Sequence, residues 1–567
     1  MRNFQLFPNV FLGALFLWGA AIGLAFATTA GNLGTDFWLT FPQADLANPP
    51  RQEELLISSS VATSGTVQIA GIGFNTPFAV AAGGMATVML PIACMPTGSD
   101  VTAPLGIHVT AQNPVAVVGM SNESFSSDAY LALPTSNLGE NYISLSYNQF
   151  VDAPATFFSE LAIVGVQNGT VVTITPSVAT GARAAGVPYT INLNQGNVYQ
   201  LQNGASDTDL SGTVISSSNP VGVWGSVEAA LVPVNIYGAN YLVEQLWPTN
   251  VWGTDFFTVP LATRSGGDTF RFLASQNNTT VSINGVVAAA LSAGQFLERI
   301  LTTASQVTSN NPIYVMQYSN GNAYGIATPA PDGDPSMMSI PSSSQYVSSY
   351  QIPAPASALN LPNGFALNYE NIVAPTSAVG NITLDGVAIP AGSFTAIGAS
   401  GYSSASISVS AAAHALNGPV PFGVMVYGFD SGDAYSYPGG LLLPPPPPTN
   451  TPTITLTPTI TPTPTITPTF TVTLTPTPVC LTHVWPDPYN PRYGDGFLKM
   501  DCIPKGATVT IYTISGEAVI TLNEQNGMVV WKFGQNSSNA NVCSGVYLYT
   551  VQPPNNIQST GKFLLLR

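Results

Sequence analysis

The chain repeats itself four times, and that repetition sets the folds open to it. The segment Gly34-Thr35-Asp36-Phe37-Trp38 returns as Gly139-Glu140-Asn141-Tyr142, as Gly253-Thr254-Asp255-Phe256-Phe257 and, more weakly, as Tyr346-Val347-Ser348-Ser349-Tyr350. Strands rich in threonine and valine run through Val67, Val171, Val281 and Ile382. Each precedes a strand that proline introduces: Pro114-Val115-Ala116-Val117, Pro220-Val221-Gly222-Val223, Pro312-Ile313-Tyr314-Val315 and Pro421-Phe422-Gly423-Val424. All three signals keep a step of roughly 100 residues, the size of one small domain.

Phase matters as much as period. Taken with the Gly-x-x-aromatic strand as the end of each unit, the fourth unit reaches Asp433-Ala434-Tyr435 and then polyproline, lacking its last strand. The spare copy lies at Gly34 to Pro42. Two arrangements fit: a closed, propeller-like pseudo-fourfold ring that borrows its first strand to finish its last unit, or four independent sandwiches on a string. Closure removes exposed edges, so the ring is the expectation.

The class is all-β. Short runs such as Thr170-Val171-Val172-Thr173-Ile174 and Ser406-Ile407-Ser408-Val409-Ser410 alternate at period two between turn residues. No helical stripe follows the N-terminal segment. Charged residues are 7% of the chain, against roughly 25% usually. The formal charge of −16, with only 12 Lys and Arg, excludes the basic clusters that nucleic acid requires.

Four domains are expected. Residues 1–27 read as a signal peptide, with Arg2, an apolar core from Val10 to Leu24, and Ala25-Phe26-Ala27 before cleavage between Ala27 and Thr28. An uncleaved anchor is the other reading of that stretch; after cleavage no apolar run is long enough for a transmembrane helix. Residues 28–443 form the four-repeat head. Residues 444–479 are a Pro/Thr-rich linker, extended and semi-rigid, able to hold two bodies roughly 100 Å apart. Residues 480–567 carry six or seven short strands, the pattern of an Ig-like β-sandwich.

The last module resembles flagellar-hook-cap-type Ig-like domains and the C-terminal sorting domains of secreted bacterial proteins. The residues that carry the likeness are Asp487-Pro488-Tyr489-Asn490-Pro491, Ile511-Tyr512-Thr513-Ile514-Ser515-Gly516-Glu517-Ala518-Val519, Cys543-Ser544-Gly545-Val546-Tyr547-Leu548-Tyr549 and Leu564-Leu565-Leu566-Arg567. The resemblance implies handling by secretion machinery and attachment at the outer cell surface. Residues 32–443 resemble the N-terminal domain of IgGFc-binding proteins, through Gly34-Thr35-Asp36-Phe37-Trp38, Thr63-Ser64-Gly65-Thr66-Val67, Gly71-Ile72-Gly73-Phe74 and Tyr130-Leu131-Ala132-Leu133-Pro134. That likeness implies a secreted, multi-domain binding protein; immunoglobulin binding and binding residues are not carried over.

Signals for chemistry are few. His108, His414 and His483 have no second ligand at metal spacing, and His108 reads as a polar strand residue. Asp207-Thr208-Asp209 and Asp332-Gly333-Asp334-Pro335 read as loop-solvating carboxylates rather than calcium loops. No catalytic residue, metal ligand or cofactor is expected, although a secreted carbohydrate-active hydrolase with carboxylates in head loops is the alternative. Cys94 reads as a buried small residue; Cys480, Cys502 and Cys543 are disulfide candidates with the pairing open. The expected function is non-enzymatic binding, adhesin-like, of a surface glycan or protein, by a protein secreted or held on the outer cell surface. Aromatics around Tyr237, Tyr241 and Tyr324 are the candidates to meet that ligand.

Overall fold

The computed structural model describes residues 31–45, 51–123, 126–152, 155–205, 208–321, 333–355, 365–443, 483–485, 497–501, 503–513, 517–532, 534–538, 540–553 and 559–565. The signal segment with Ala27 and Thr28, the linker, Cys480 and Cys502 lie outside them. The chain divides into two compact units, Met1–Pro452 and Thr453–Arg567. Among the described residues regular structure is strand with short 3-10 turns, so the fold is all-β.

Each repeat is built on one long strand: Ile107–Glu123, Val214–Leu231, Ser305–Tyr318 and Ala413–Asp430. The first half of each long strand pairs with the Gly-x-x-aromatic strand and the threonine-valine strand; the second half pairs with a buried strand such as Arg51–Ser59 and with a short closing strand. The four sheet systems have 7, 8, 7 and 8 strands.

The introducing prolines stand where the ladder breaks. Opposite Gly34 and Asp36 the register jumps from Val115 to Thr110, and the equivalent jumps recur in the other three units. Proline offers no ladder N–H, so a bulge is where a strand tolerates it. The aromatic three residues after the glycine covers that bulge. Tyr142 Oη donates to the Val221 carbonyl at 2.7 Å and accepts the Gly139 N–H at 2.8 Å. Tyr350 does the same with Phe422 and Val347, so Val347 occupies the glycine position of the fourth unit.

This register overturns the borrowed strand. Gly34–Leu39 pairs with Ile107–Glu123 of its own unit, so the Gly-x-x-aromatic strand opens each repeat and the fourth repeat is complete. The phase is ambiguous in sequence because each closing strand and the next opening strand are separated by only a short proline-led or serine-led 3-10 turn, as at Thr135–Asn137. The head nevertheless closes. The Gly31 N–H donates to the Leu441 carbonyl at 2.6 Å, and the Leu441 N–H to Asn32 Oδ1 at 3.3 Å.

The closing strands Asp128–Leu131, Ala239–Gln245, Met337–Ser339 and Asp433–Pro438 pack on one another around the middle of this ring. One apolar cluster runs through all four units, including Leu131, Leu242, Met337 and Tyr435. The units are also stitched in sequence, since Val101–Ala103 leaves the first repeat to pair with Val198–Asn203 of the second.

The second compact unit has a three-stranded sheet (His483–Trp485, Phe497–Asp501, Val529–Lys532) and a four-stranded sheet (Ala518–Asn523, Thr508–Thr513, Gly545–Gln552, Ser559–Leu565). Both contribute to one core. Trp531 lies at its centre, 5.9 Å from the Tyr547 ring and 5.7 Å from Phe563, with its Nε1 donating to Gln535 O at 2.7 Å. Cys543 is an exposed free thiol.

Candidate functional site

The ring places hairpin turns from different units side by side. In the second unit the long strand ends at Leu231, and the chain turns through Asn235 (φ 72°) and Gly238 (φ 103°) into Ala239. Next to this turn come the short strand Phe150–Asp152, Asp334 of the third unit, and Gly432 in the turn of the fourth. Together they line a concavity of about 460 Å³, within the usual size of a ligand site.

Its base is tied to the ring. The Gly321 N–H of the third unit donates to Val232 O at 2.6 Å. Asn240 Nδ2 donates to Ser127 O of the first unit and Pro335 O of the third, both at 2.7 Å. The Ser127 N–H and hydroxyl in turn donate to the two Asp433 oxygens at 2.9 and 3.0 Å. The mouth differs in character. Tyr237 is 78% exposed, Asp152 is exposed, and the Phe150 ring stacks on Phe157 with centroids 5.6 Å apart. The frame thus presents an aromatic face, the Asp152 carboxylate and the Asn235 amide to solvent.

Beneath this site sits Asp128. Its carboxylate accepts N–H groups from Ala129 (2.9 Å), Val243 (3.2 Å), Met337 (3.0 Å) and Ser436 (3.2 Å), one from each unit. Burial pushes its pKa up, and the four amides pull against that. Arg271 is the corresponding anchor between the second and third units. Its guanidinium lies 4.2 Å from the Tyr147 ring centre and 4.3 Å from that of Phe296. It bonds Asp209 and Glu298, each at 2.8 Å.

The model of the family described as IgGFc binding protein matches residues 128–428, more than half of the chain. The chain belongs to the IgGFc-binding protein family. The match takes in the second to fourth units; most of the first-unit motifs that suggested the family lie before it. The human (Homo sapiens) IgGFc-binding protein is 26% identical over 443 residues, 75% of this chain and 8% of that protein, so the chain spans a small part of its relative. Among solved structures, the native conformation of E. coli alpha-2-macroglobulin aligns at a TM-score of 0.13 and 9% identity, over 95% of this chain and 40% of that one. A biofilm-associated protein BSP domain aligns at 0.12 and 8%, over 80% and 92%. Scores this low do not indicate a common fold.

For this family member the sequence-derived candidates separate cleanly. Tyr237 lies at the concavity, whereas Tyr241 is fully buried, its Oη donating to Pro42 O at 2.9 Å, so it cannot meet a ligand. It lies in Ala239–Gln245, a strand covered on both faces from Asn240 onward. Tyr324, Asp207 and Asp332 lie outside the described residues. Asp209 and Asp334 are not solvated loop carboxylates: both are buried, Asp209 against Arg271 and Asp334 at the concavity. Their turns are covered by neighbouring units, which local composition does not reveal.

His108 is a polar strand residue, as expected, stacked on Trp38 at 4.2 Å and 2.8 Å from Asp36. The hydrogen bond to His108 holds the Asp36 carboxyl below its usual range, against partial burial. His414 resembles part of a hydrolytic triad, with Nδ1 2.7 Å from Asp385 and Nε2 3.4 Å from Ser410 Oγ. However, Nε2 faces the Ser410 carbonyl at 2.8 Å, so both ring nitrogens face acceptors, an arrangement that favours the doubly protonated ring. Burial lowers its pKa, yet Asp385 and the carbonyl outweigh this and raise it. With Nε2 nearer the Ser410 carbonyl than its hydroxyl, the ring is not aligned to take the hydroxyl proton. Cys94 is buried in the core, and nothing is described of the His483 side chain.

Proposed function

We propose that this chain is an exported, non-enzymatic binding protein of a bacterial cell surface. Its head presents the Tyr237 concavity to a protein or glycan ligand. Family membership supports a binding role. The observation that carries the reading is the contrast between a rigid ring floor and a mouth holding an exposed tyrosine and carboxylate. Exposed large aromatics beside polar groups mark binding sites rather than stability devices. The N-terminal segment serves export, the Pro/Thr tract spaces the head from its point of attachment, and the C-terminal sandwich is the sorting or attachment module.

Two measurements test this. The full chain and its Tyr237→Ala variant are compared on glycan and protein arrays. Binding that disappears with Tyr237 supports the site, and binding that ignores the substitution contradicts it. Truncation before Cys480 is expected to leave a head that no longer stays on the cell surface. Retention of that head would remove the sorting role.

A further inference from the structure

Beyond its buried strand each unit carries one further strand: Gly84–Leu90, Val198–Asn203, Phe296–Leu301 and Tyr402–Ser408. The outer edges of three of these strands are closed or charged. In the second unit Val101–Ala103 pairs antiparallel with Val198, Tyr199 and Gln200. In the fourth, Thr395–Ala396 covers Ser403 and Ser404. The third edge carries charge, with Glu298 bonded to Arg271 and Arg299 exposed beside it. Covering strands and charges are ordinary means of keeping an edge from pairing with another chain.

The first edge has neither. Among the described residues Gly84–Leu90 pairs only with Arg51–Ser59, and that ladder has no bulge. Its sequence, Gly-Met-Ala-Thr-Val-Met-Leu, holds no charge and no proline. Val88 and Leu90 are buried in the core of the unit. Thr87 and Met89 are exposed, Met89 at 51%, with Ile92 at 44% just beyond. Register relates this edge to the covered one. Leu55 lies opposite Gly119 and Val88, as Leu161 lies opposite Gly225 and Leu201. Met85, Ala86 and Thr87 therefore correspond to Val198, Tyr199 and Gln200, the residues that accept a strand in the second unit.

We propose that Gly84–Leu90 is a second binding surface of the head, which takes an extended, uncharged segment of a protein partner as an added antiparallel strand. The edge supplies backbone amides and carbonyls. Alternate side chains of the incoming segment lie beside Thr87 and Met89 on one face, and beside Ala86 and Val88 on the other. The second unit shows what such an edge accepts: a Val-Thr-Ala segment, with valine opposite Gln200 and alanine opposite Val198. A β-branched residue opposite Thr87 and a small one opposite Met85 are the corresponding requirement. This surface shares no residue with the lining of the Tyr237 concavity.

Methyl NMR on the full chain, isotope-labelled at the methionine methyl groups, tests this with the acetylated, amidated peptide Thr-Ser-Val-Thr-Ala-Ser-Thr. The Met85 and Met89 signals are expected to shift on titration, while those of the buried Met316, Met337 and Met338 stay in place. Two N-methylated peptides separate a strand ladder from adhesion to apolar surface, because successive amides of a strand point to opposite sides. One is methylated at the central threonine, the other at the valine and the alanine. One of the two is expected to lose the shifts and the other to keep them. Thr87→Lys puts a charge in the middle of the edge and should abolish the shifts. Its melting curve should match the parent's, since Thr87 is exposed. Absence of Met85 and Met89 shifts, or the same response to both methylated peptides, would overturn the added strand. A dimer of the parent chain that Thr87→Lys dissociates would overturn the partner segment, since a second copy would then hold the edge.

Discussion

The carboxylate of Asp128 in the first unit accepts the backbone N–H of Ser436 in the fourth, at 3.2 Å and across 308 residues of chain. Hydrogen bonds from the second and third units reach the same carboxylate. A single side chain therefore reports whether the four repeats form one body. Four independent sandwiches would leave each closing strand to satisfy its own amides. The ring also explains the concavity, whose lining comes from three of the four units.

Arg271 carries the next prediction. It is buried, paired with Asp209 and sandwiched between aromatic rings. Arg271→Ala leaves Asp209 buried without its cation, a change that costs about 3–5 kcal/mol. Chemical denaturation should show that loss, with Arg271→Lys recovering only part of it because the planar fork is gone. A loss below about 1 kcal/mol would mean that the guanidinium is effectively solvated.

Much of this fold was legible from a few residues. Pro114, Pro220, Pro312 and Pro421 mark the bulges, and Gly34, Gly139 and Gly253 the opening strands, because proline and glycine answer to local backbone geometry. The strand partner was not legible. Gly34–Leu39 reads equally well as the end of one unit or the start of the next, and only the register with Thr110 and Val115 decides. The site was half legible. Tyr237 and Tyr241 look alike in sequence, yet one is exposed and the other fully buried. Asp128 gave no signal, since its partners lie in three other repeats.

The two tyrosines should separate stability from binding. Tyr241→Phe removes a buried hydroxyl bonded to Pro42 O and leaves that carbonyl unpaired, costing about 1–3 kcal/mol with ligand affinity unchanged. Tyr237→Ala should leave the melting temperature within error and abolish ligand binding. Calorimetry alongside binding on one protein batch checks both. The reverse pattern would move the site elsewhere.

Stability should fall as pH rises from about 5 to 8. Burial raises Glu54 and Glu228 to about 7 and Glu370 to about 8. A carboxyl whose folded pKa is raised holds its proton in the native state after the unfolded chain has released it. Its contribution is complete below the unfolded value near 4.5 and is lost as pH passes 7 to 8. His414 acts in the same direction, since its raised pKa gives stability present below the unfolded value and lost as pH rises through the folded one. Melting temperatures across this range should drop by several degrees, and Glu54→Gln with Glu370→Gln should flatten the slope. A melting temperature that climbs from pH 5 to 8 would contradict these assignments.

Hydrogen exchange at the four amides bonded to Asp128 tests the closed ring most directly. The amides of Ala129, Val243, Met337 and Ser436 are expected among the slowest in the head, and Asp128→Ala should accelerate all four together. Acceleration at Ala129 alone, with Val243, Met337 and Ser436 unchanged, would show that the repeats do not share this centre and would contradict the ring.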